Sequence, residues 1–296
     1  MKNGIVFIAP LGARNKKAAV FDEIISLCPD NDYSQVLYIT PSAFSESETK
    51  QQFFRYLKST CSKSSYIPFR SFTLSSLCKD IYETYGKQNI ISDRIEPIIF
   101  CELLGEKNIG YAKYLSDLLS IIRHYISGKE LSQIKEDIKT LIFEEKTMKR
   151  AVNALGLLEL YEKEIKKKEL IDFGCAFKNS IAMIKEHITG QTAVFDGFFD
   201  PTPLEMEAVS ALIEKTDNVY VLVEENAEFL KFFSAVADQP AAENGEDEFK
   251  KIKLKSSHGR KTTGYYAYPS MEDEVEGIAR GVKGLIIEGV KPNEIT

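Results

Sequence analysis

The chain has 296 residues, 44% of them apolar and 28% charged, and a formal net charge of −6. This excludes a disordered chain and supplies core for one large domain or two ordinary ones, while no apolar run approaches the roughly 20 residues of a membrane helix. The acidic balance argues against a stand-alone nucleic-acid binder, and the one dense basic stretch, KKIKLKSSHGRK at 250–261, reads as a solvated edge strand and turn.

The first element is GIVFIA, 4–9. It is too short for a signal sequence and is stopped by Pro10, so it reads as a buried strand. Further strands are expected at QVLYIT (35–40), SYIPFRSF (65–72), TAVFDG (192–197) and NVYVLVE (218–224), with KIKLK (251–255) and TGYYAY (263–268) as a later pair. Several are nearly continuous apolar runs, the pattern of strands covered by helices on both faces.

From about 76 to 189 no convincing strand is expected, only helices. DRIEPIIFCELL carries Asp93 and Glu96 as a capping box, with Ile95, Ile98, Ile99 and Leu103 along one stripe. YAKYLSDLLSIIRHYISG places Tyr111, Tyr114, Leu115, Leu118, Ile122 and Tyr125 at helical spacing and stops at Gly128. ALGLLELYEKEIKKKEL and DFGCAFKNSIAMIKEHI read the same way. Thr202, Pro203 and Glu205 start the next helix with a cap, a first-turn proline and a capping-box acid. The polar stretch 236–250 is expected to be an exposed loop. Ser270 and Asp273 open a last helix, with Val275, Ile278, Ala279, Val282, Leu285 and Ile286 on one face and Gly289 at its end. The chain then stops where a strand ordinarily begins, which suggests a fragment of a longer protein.

The chemistry-bearing residue types are sparse. The five cysteines are scattered without a CxxC pair, which argues against a disulfide framework or a zinc site and for a reducing, cytoplasmic setting. The three histidines are far apart and read as structural. What remains is APLGARNKKAAV, 9–20, at a strand-to-helix turn where an α/β protein would place a phosphate loop, G-x-x-x-x-G-K-[ST]. Lys16 takes the lysine position, Pro10 and Asn15 replace the glycines, and Lys17 replaces the metal-binding hydroxyl. Proline removes an amide, and a lysine cannot hold Mg²⁺. The other half of such a site is an acid at the end of a buried strand followed by a glutamate. Asp196 supplies the acid, with Gly197 in place of the glutamate.

AVFDGFFDPTPLE resembles the degenerate second helicase motif in the B subunit of AddAB/RexAB-type ATP-dependent helicase/deoxyribonucleases. Active superfamily 1 helicases have D-E-x-Q-D there, so Asp196 and Asp200 match while Gly197 and Phe199 depart. VLYITPSAFSESETKQQFFRYL is similar to that family's strand, P-x-x-F turn and acid-bearing helix, and FRSFTLSSLCKDIYE to its sFsrL segment. LYEKEIKKKELIDFGCAFKNSI resembles the helices around its D-F pair, here Asp172 and Phe173, and YPSMEDEVEGIARGVKGLIIEGVKPNEI its entry to the second motor-like domain. The resemblance covers nearly the whole chain. The γ-phosphate-sensing motif is absent, replaced by EENAEF after NVYVLV. The family's nuclease and iron–sulfur cysteines lie in a C-terminal part, and EEK at 144–146 only imitates half of a nuclease motif in a polar helical stretch.

The resemblance implies an α/β, RecA-like P-loop NTPase fold, a parallel sheet with helices on both faces and a large all-helical insertion. Residues 1–75 with 190–250 would form the degenerate helicase domain, 76–189 the insertion, and 251–296 the start of a truncated second domain. It implies a non-catalytic module of a DNA end-processing complex, with DNA (single-stranded or strand ends) and a helicase/nuclease partner subunit as partners and no membrane. Lys16 and Asp196 would be vestigial nucleotide-binding residues, with no cofactor expected and Mg-ATP as the alternative. Phe44, Arg70 and Phe72 are candidate DNA contacts, and no catalytic or metal-binding residue is expected. A divergent ATPase or helicase and a pure interaction scaffold are the rival readings.

Overall fold

A computed structural model describes residues 3–10, 13, 16–60, 65–105, 108–126, 129–141, 144–237, 249–254 and 271–287. In chain order its elements are β1 (Asn3–Ala9), α1 (Ala18–Leu27), β2 (Val36–Thr40), α2 (Ala43–Thr60), β3 (Arg70–Thr73), α3 (Leu74–Tyr85) and β4 (Asn89–Ile90). Next come α4 (Glu96–Leu104), α5 (Ile109–Tyr125), α6 (Leu131–Leu141), α7 (Glu145–Lys167), β5 (Leu170–Ile171) and α8 (Phe173–His187). The last are β6 (Thr192–Asp196), α9 (Pro203–Lys215), β7 (Asn218–Glu224), α10 (Glu228–Ala237), β8 (Lys250–Lys253) and α11 (Met271–Ile287).

The continuous apolar runs produce a parallel sheet of six strands in the order β3-β2-β6-β7-β1-β8. β2 and β6 are buried along their whole length. Such strands need cover on both faces. On one side Val20, Phe21 and Ile24 of α1 and Phe53 and Leu57 of α2 close over Tyr38, Val194 and Leu222. On the other, side chains of α3, α8, α9 and α10 enclose Leu37, Phe195 and Val221. Because every strand is parallel, β1, β2, β6 and β7 end on the same edge, and the loops that follow them share one rim.

Several expectations change. Only Arg70–Thr73 of the stretch 65–72 and its neighbour pair as a strand, and Ile67 makes a lone bridge to Asp32. The middle region does contain strand: β4 and β5 form a two-residue parallel ladder, too short for any hydrophobic period to register. β8 pairs with β1, so residues 251–253 belong to the first sheet, and the compact unit runs to Ser257 rather than ending at 250. TGYYAY, Ser270 and Gly289 lie outside the described residues. The second unit, His258–Thr296, contains α11, on which Val275, Ile278 and Ile286 are exposed.

The helices between α3 and α8 have a core of their own. Phe100 of α4 stacks on Tyr161 of α7 at 4.4 Å between ring centres, beside Leu115, Leu119 and Leu158. Along α5 the apolar positions divide into two stripes. Ala112, Leu115, Leu119 and Ile122 are buried, whereas Tyr111, Tyr114, Ile121 and Tyr125 face solvent. Glu96 does not share a capping box with Asp93; Ile95 is the N-cap, with no side-chain bond. The Glu96 carboxylate turns inward, accepts a hydrogen bond of 2.8 Å from the Tyr161 hydroxyl and another from Ser116. Burial raises its pKa, against the pull of those two hydroxyls. α8 is fixed by Asp172, which accepts from the Cys175 amide as N-cap and is also bonded by the Arg123 guanidinium of α5.

Two predictions arise from this block. A Cβ on Gly174 would lie 2.5 Å from Cβ and Cγ of Arg123, on the stem that holds α5 against α8. Gly174→Ala should therefore cost about 1–3 kcal/mol in urea denaturation, and an unchanged midpoint would contradict the close approach. The raised Glu96 pKa means that its favourable contribution is complete below the ordinary 4.5 and is lost as pH rises through the raised value. Glu96→Gln should gain stability relative to the parent chain from about pH 4 to about pH 7, and a pH-independent difference would refute this.

Candidate functional site

The site lies where β1, β2, β6 and β7 end. Of the turn after β1, Pro10, Ala13, Lys16 and Lys17 are described, and the Ala13 amide donates to the Pro10 carbonyl at 3.0 Å. Lys17 is the N-cap of α1 in right-handed helical conformation and makes no side-chain cap bond. Its side chain instead crosses the rim to Asp196 at the end of β6, with Nζ 2.9 Å from Oδ2. Both ends are enclosed, at 15% and 3% side-chain exposure.

Two further groups complete the cluster. The Tyr38 hydroxyl of β2 donates to the same Asp196 oxygen at 2.9 Å. Burial first, and then the Asp196 charge, hold this phenol well above the usual tyrosine range, so it serves as a donor. Lys17 Nζ also donates to Thr49 Oγ1 of α2 at 2.5 Å, while the Thr49 hydroxyl donates to the Ser45 carbonyl at 2.7 Å. One ammonium thus joins α1, α2 and β6, in the place where a phosphate-loop protein would present a hydroxyl to a metal ion.

Lys16 goes elsewhere. Its ammonium pairs with Glu224 at the end of β7, 2.8 Å away, so the lysine assigned to phosphate and the acid assigned to metal do not meet. Motif matching reads Lys17 only as the replacement for the hydroxyl, and it passes over Tyr38 and Thr49. The tandem of lysines was the available signal, because the second one occupies the residue position nearest the metal. Gly197, in place of the glutamate, has φ +81° and donates its amide to the Leu222 carbonyl at 3.0 Å. A Cβ there would meet only the Pro41 ring, at 3.9 Å, so backbone conformation and not space keeps a side chain out.

The three candidate DNA contacts occupy different settings. Phe44, at the start of α2 beyond the end of β2, is 78% exposed. Arg70 is exposed on the edge strand β3, level with Leu37 and below the rim. Phe72 is half-buried against the core on the α3 side. Phe199, which sequence reasoning had noted only as a departure from the helicase motif, is 56% exposed in the loop after β6. Asp200 is exposed beside it, and Glu144, Glu145 and Lys146 stand at the exposed start of α7 with no strand beside them.

Among the described residues no three His, Cys, Asp or Glu side chains are grouped as metal ligands, and no helix is long and apolar enough to cross a membrane. The chain matches no family model and no curated protein.

Breaking the ion pair from one side leaves a charge without a partner in a dry place. Lys17→Met should destabilise the chain by about 3–5 kcal/mol, and Lys17→Met with Asp196→Leu should recover most of that loss. A double variant as unstable as the sum of the two single ones, in a denaturation cycle, would show that the groups are not coupled.

Proposed function

We propose that this chain is a non-catalytic, RecA-like helicase module of a DNA end-processing helicase–nuclease complex, where it guides a DNA strand and docks the motor subunit. The observation that carries the reading is the closed Lys17–Asp196–Tyr38 cluster. A loop after one strand and an acid after another converge on the same rim, as in the P-loop class, yet the acid is already neutralised by a lysine of the chain. Gly197 adds to this. Its positive φ disfavours a glutamate by about 1–2 kcal/mol, so the water-activating group is missing from the backbone geometry as well as from the sequence.

The DNA part of the reading rests on the sequence resemblance and on the rim itself. Phe44 and Phe199 follow the adjacent strands β2 and β6, which pair Ile39 with Phe195. Exposed aromatic rings on neighbouring loops suit stacking of unpaired bases, which depends little on base identity. Arg70, at the start of β3 and below the rim, is not part of this surface. The overall acidity of the chain is compatible with a strand held mainly by stacking and by the partner subunit.

Calorimetry should detect no saturable Mg-ATP binding, and fluorescence anisotropy at low salt should detect single-stranded DNA. Phe44→Ala and Phe199→Ala should each weaken the DNA affinity about tenfold. Mg-ATP binding abolished by Asp196→Ala would replace this proposal with the divergent-ATPase reading. DNA affinity unmoved by both aromatic substitutions would remove the strand-guiding role.

A further inference from the structure

The helical block contains a cleft that the proposed function leaves unused. It measures about 380 Å³ and opens between the last turns of α5 and α7 and the first turns of α8. This is within the size range of small-molecule sites. Ile122, Ile126 and Ile165 give it an apolar wall.

Arg123 stands in that wall. Its Nη2 bonds Glu162 and, at 3.3 Å, Asp172, which uses the guanidinium to balance both carboxylates. Burial opposes the charge of Arg123, but the Asp172 and Glu162 carboxylates more than offset it and hold the side chain protonated. Its Nε is buried and has no hydrogen-bond partner among the described residues.

The charges at the mouth are unevenly matched. Lys129 pairs with Asp137, outside the cleft. Lys166 and Lys178 are exposed and, among the described residues, form no ion pair; Glu130 is the acid left facing them. The cleft therefore has an apolar wall and two available ammonium groups at its entrance.

We propose that this cleft binds a small organic anion. The ligand's apolar body lies against Ile122, Ile126 and Ile165, and a phosphate or carboxylate head meets Lys166 and Lys178. The inference is independent of the DNA reading, because it uses none of the rim residues.

Titration calorimetry on the whole chain tests it with hexyl phosphate, hexanoate and inorganic phosphate. One of the organic anions should bind at least about tenfold more tightly than inorganic phosphate, and the ratio of the two identifies the preferred head. Lys166→Glu with Lys178→Glu should weaken that binding about tenfold or more, and so should Ile126→Glu, placed on a partly exposed wall residue. Both variants change solvent-facing positions, and an unshifted thermal midpoint checks that they fold. The proposal is overturned if neither organic anion binds up to about 10 mM. Affinity equal to that of inorganic phosphate, or unchanged in both variants, overturns it too.

Discussion

A carboxylate at 3% exposure needs a positive partner, and Lys17 supplies one from 2.9 Å away. The arrangement of the rim depends on this contact. It sets the first turn of α1 against the end of β6, reaches α2 through Thr49, and leaves Tyr38 to satisfy the same oxygen from β2. In a phosphate-loop protein a metal and phosphates supply the central charge at such a rim. Here the polypeptide supplies it, and Lys16 repeats the device one residue earlier with Glu224 on β7. The two lysines in the degenerate phosphate motif thus tie the turn after β1 to the ends of β7, its neighbour, and of β6, the next strand beyond.

Much of the sheet was legible because its strands are apolar on both sides. Val36–Thr40 and Thr192–Asp196 leave no residue to face water, and such runs announce a covered sheet before any contact is known. The capping box at Thr202 and Glu205 was equally local, and both of its hydrogen bonds are present. Three-dimensional choices were harder to read. α5 has two adjacent stripes with the same three-and-four spacing, and only the neighbouring helices decide that Leu115 turns in while Tyr114 turns out. Glu96 had the spacing of a cap, but a buried tyrosine hydroxyl 65 residues away attracted it more strongly. At the candidate site, motif alignment ranked Lys16 above Lys17, because alignment follows residue type and cannot follow the reach of a side chain. The exposure of Phe44 and Phe199 had no sequence signal, since an aromatic in a loop is as often packed as free.

The helical block and the sheet meet through shared elements. α3 and α8 enter and leave the block, yet Leu74, Leu77, Phe177 and Ile184 lie in the same core as the sheet residues Phe195 and Val221. Arg123 extends this continuity into α5, fitting against a glycine of α8 and bonding the residue that caps it. Burial and the Asp172 charge push the Cys175 thiol in this junction up to about 12, with Arg123 opposing, so it is a poor nucleophile as well as a packed one. The polar groups here are joined into one network whose members come from α5, α7 and α8, which gives the block a defined seat on the α/β layer.

The cation at the rim has one property that a bound metal lacks: it cannot dissociate. A magnesium ion comes and goes with concentration, chelators and the state of a nucleotide, and each change alters the distances between the loops it bridges. An ammonium carried by α1 is present whenever α1 is folded. The link between the turn after β1 and the end of β6 is therefore built into the folded chain itself. A surface built on that rim is held by the chain's own side chains.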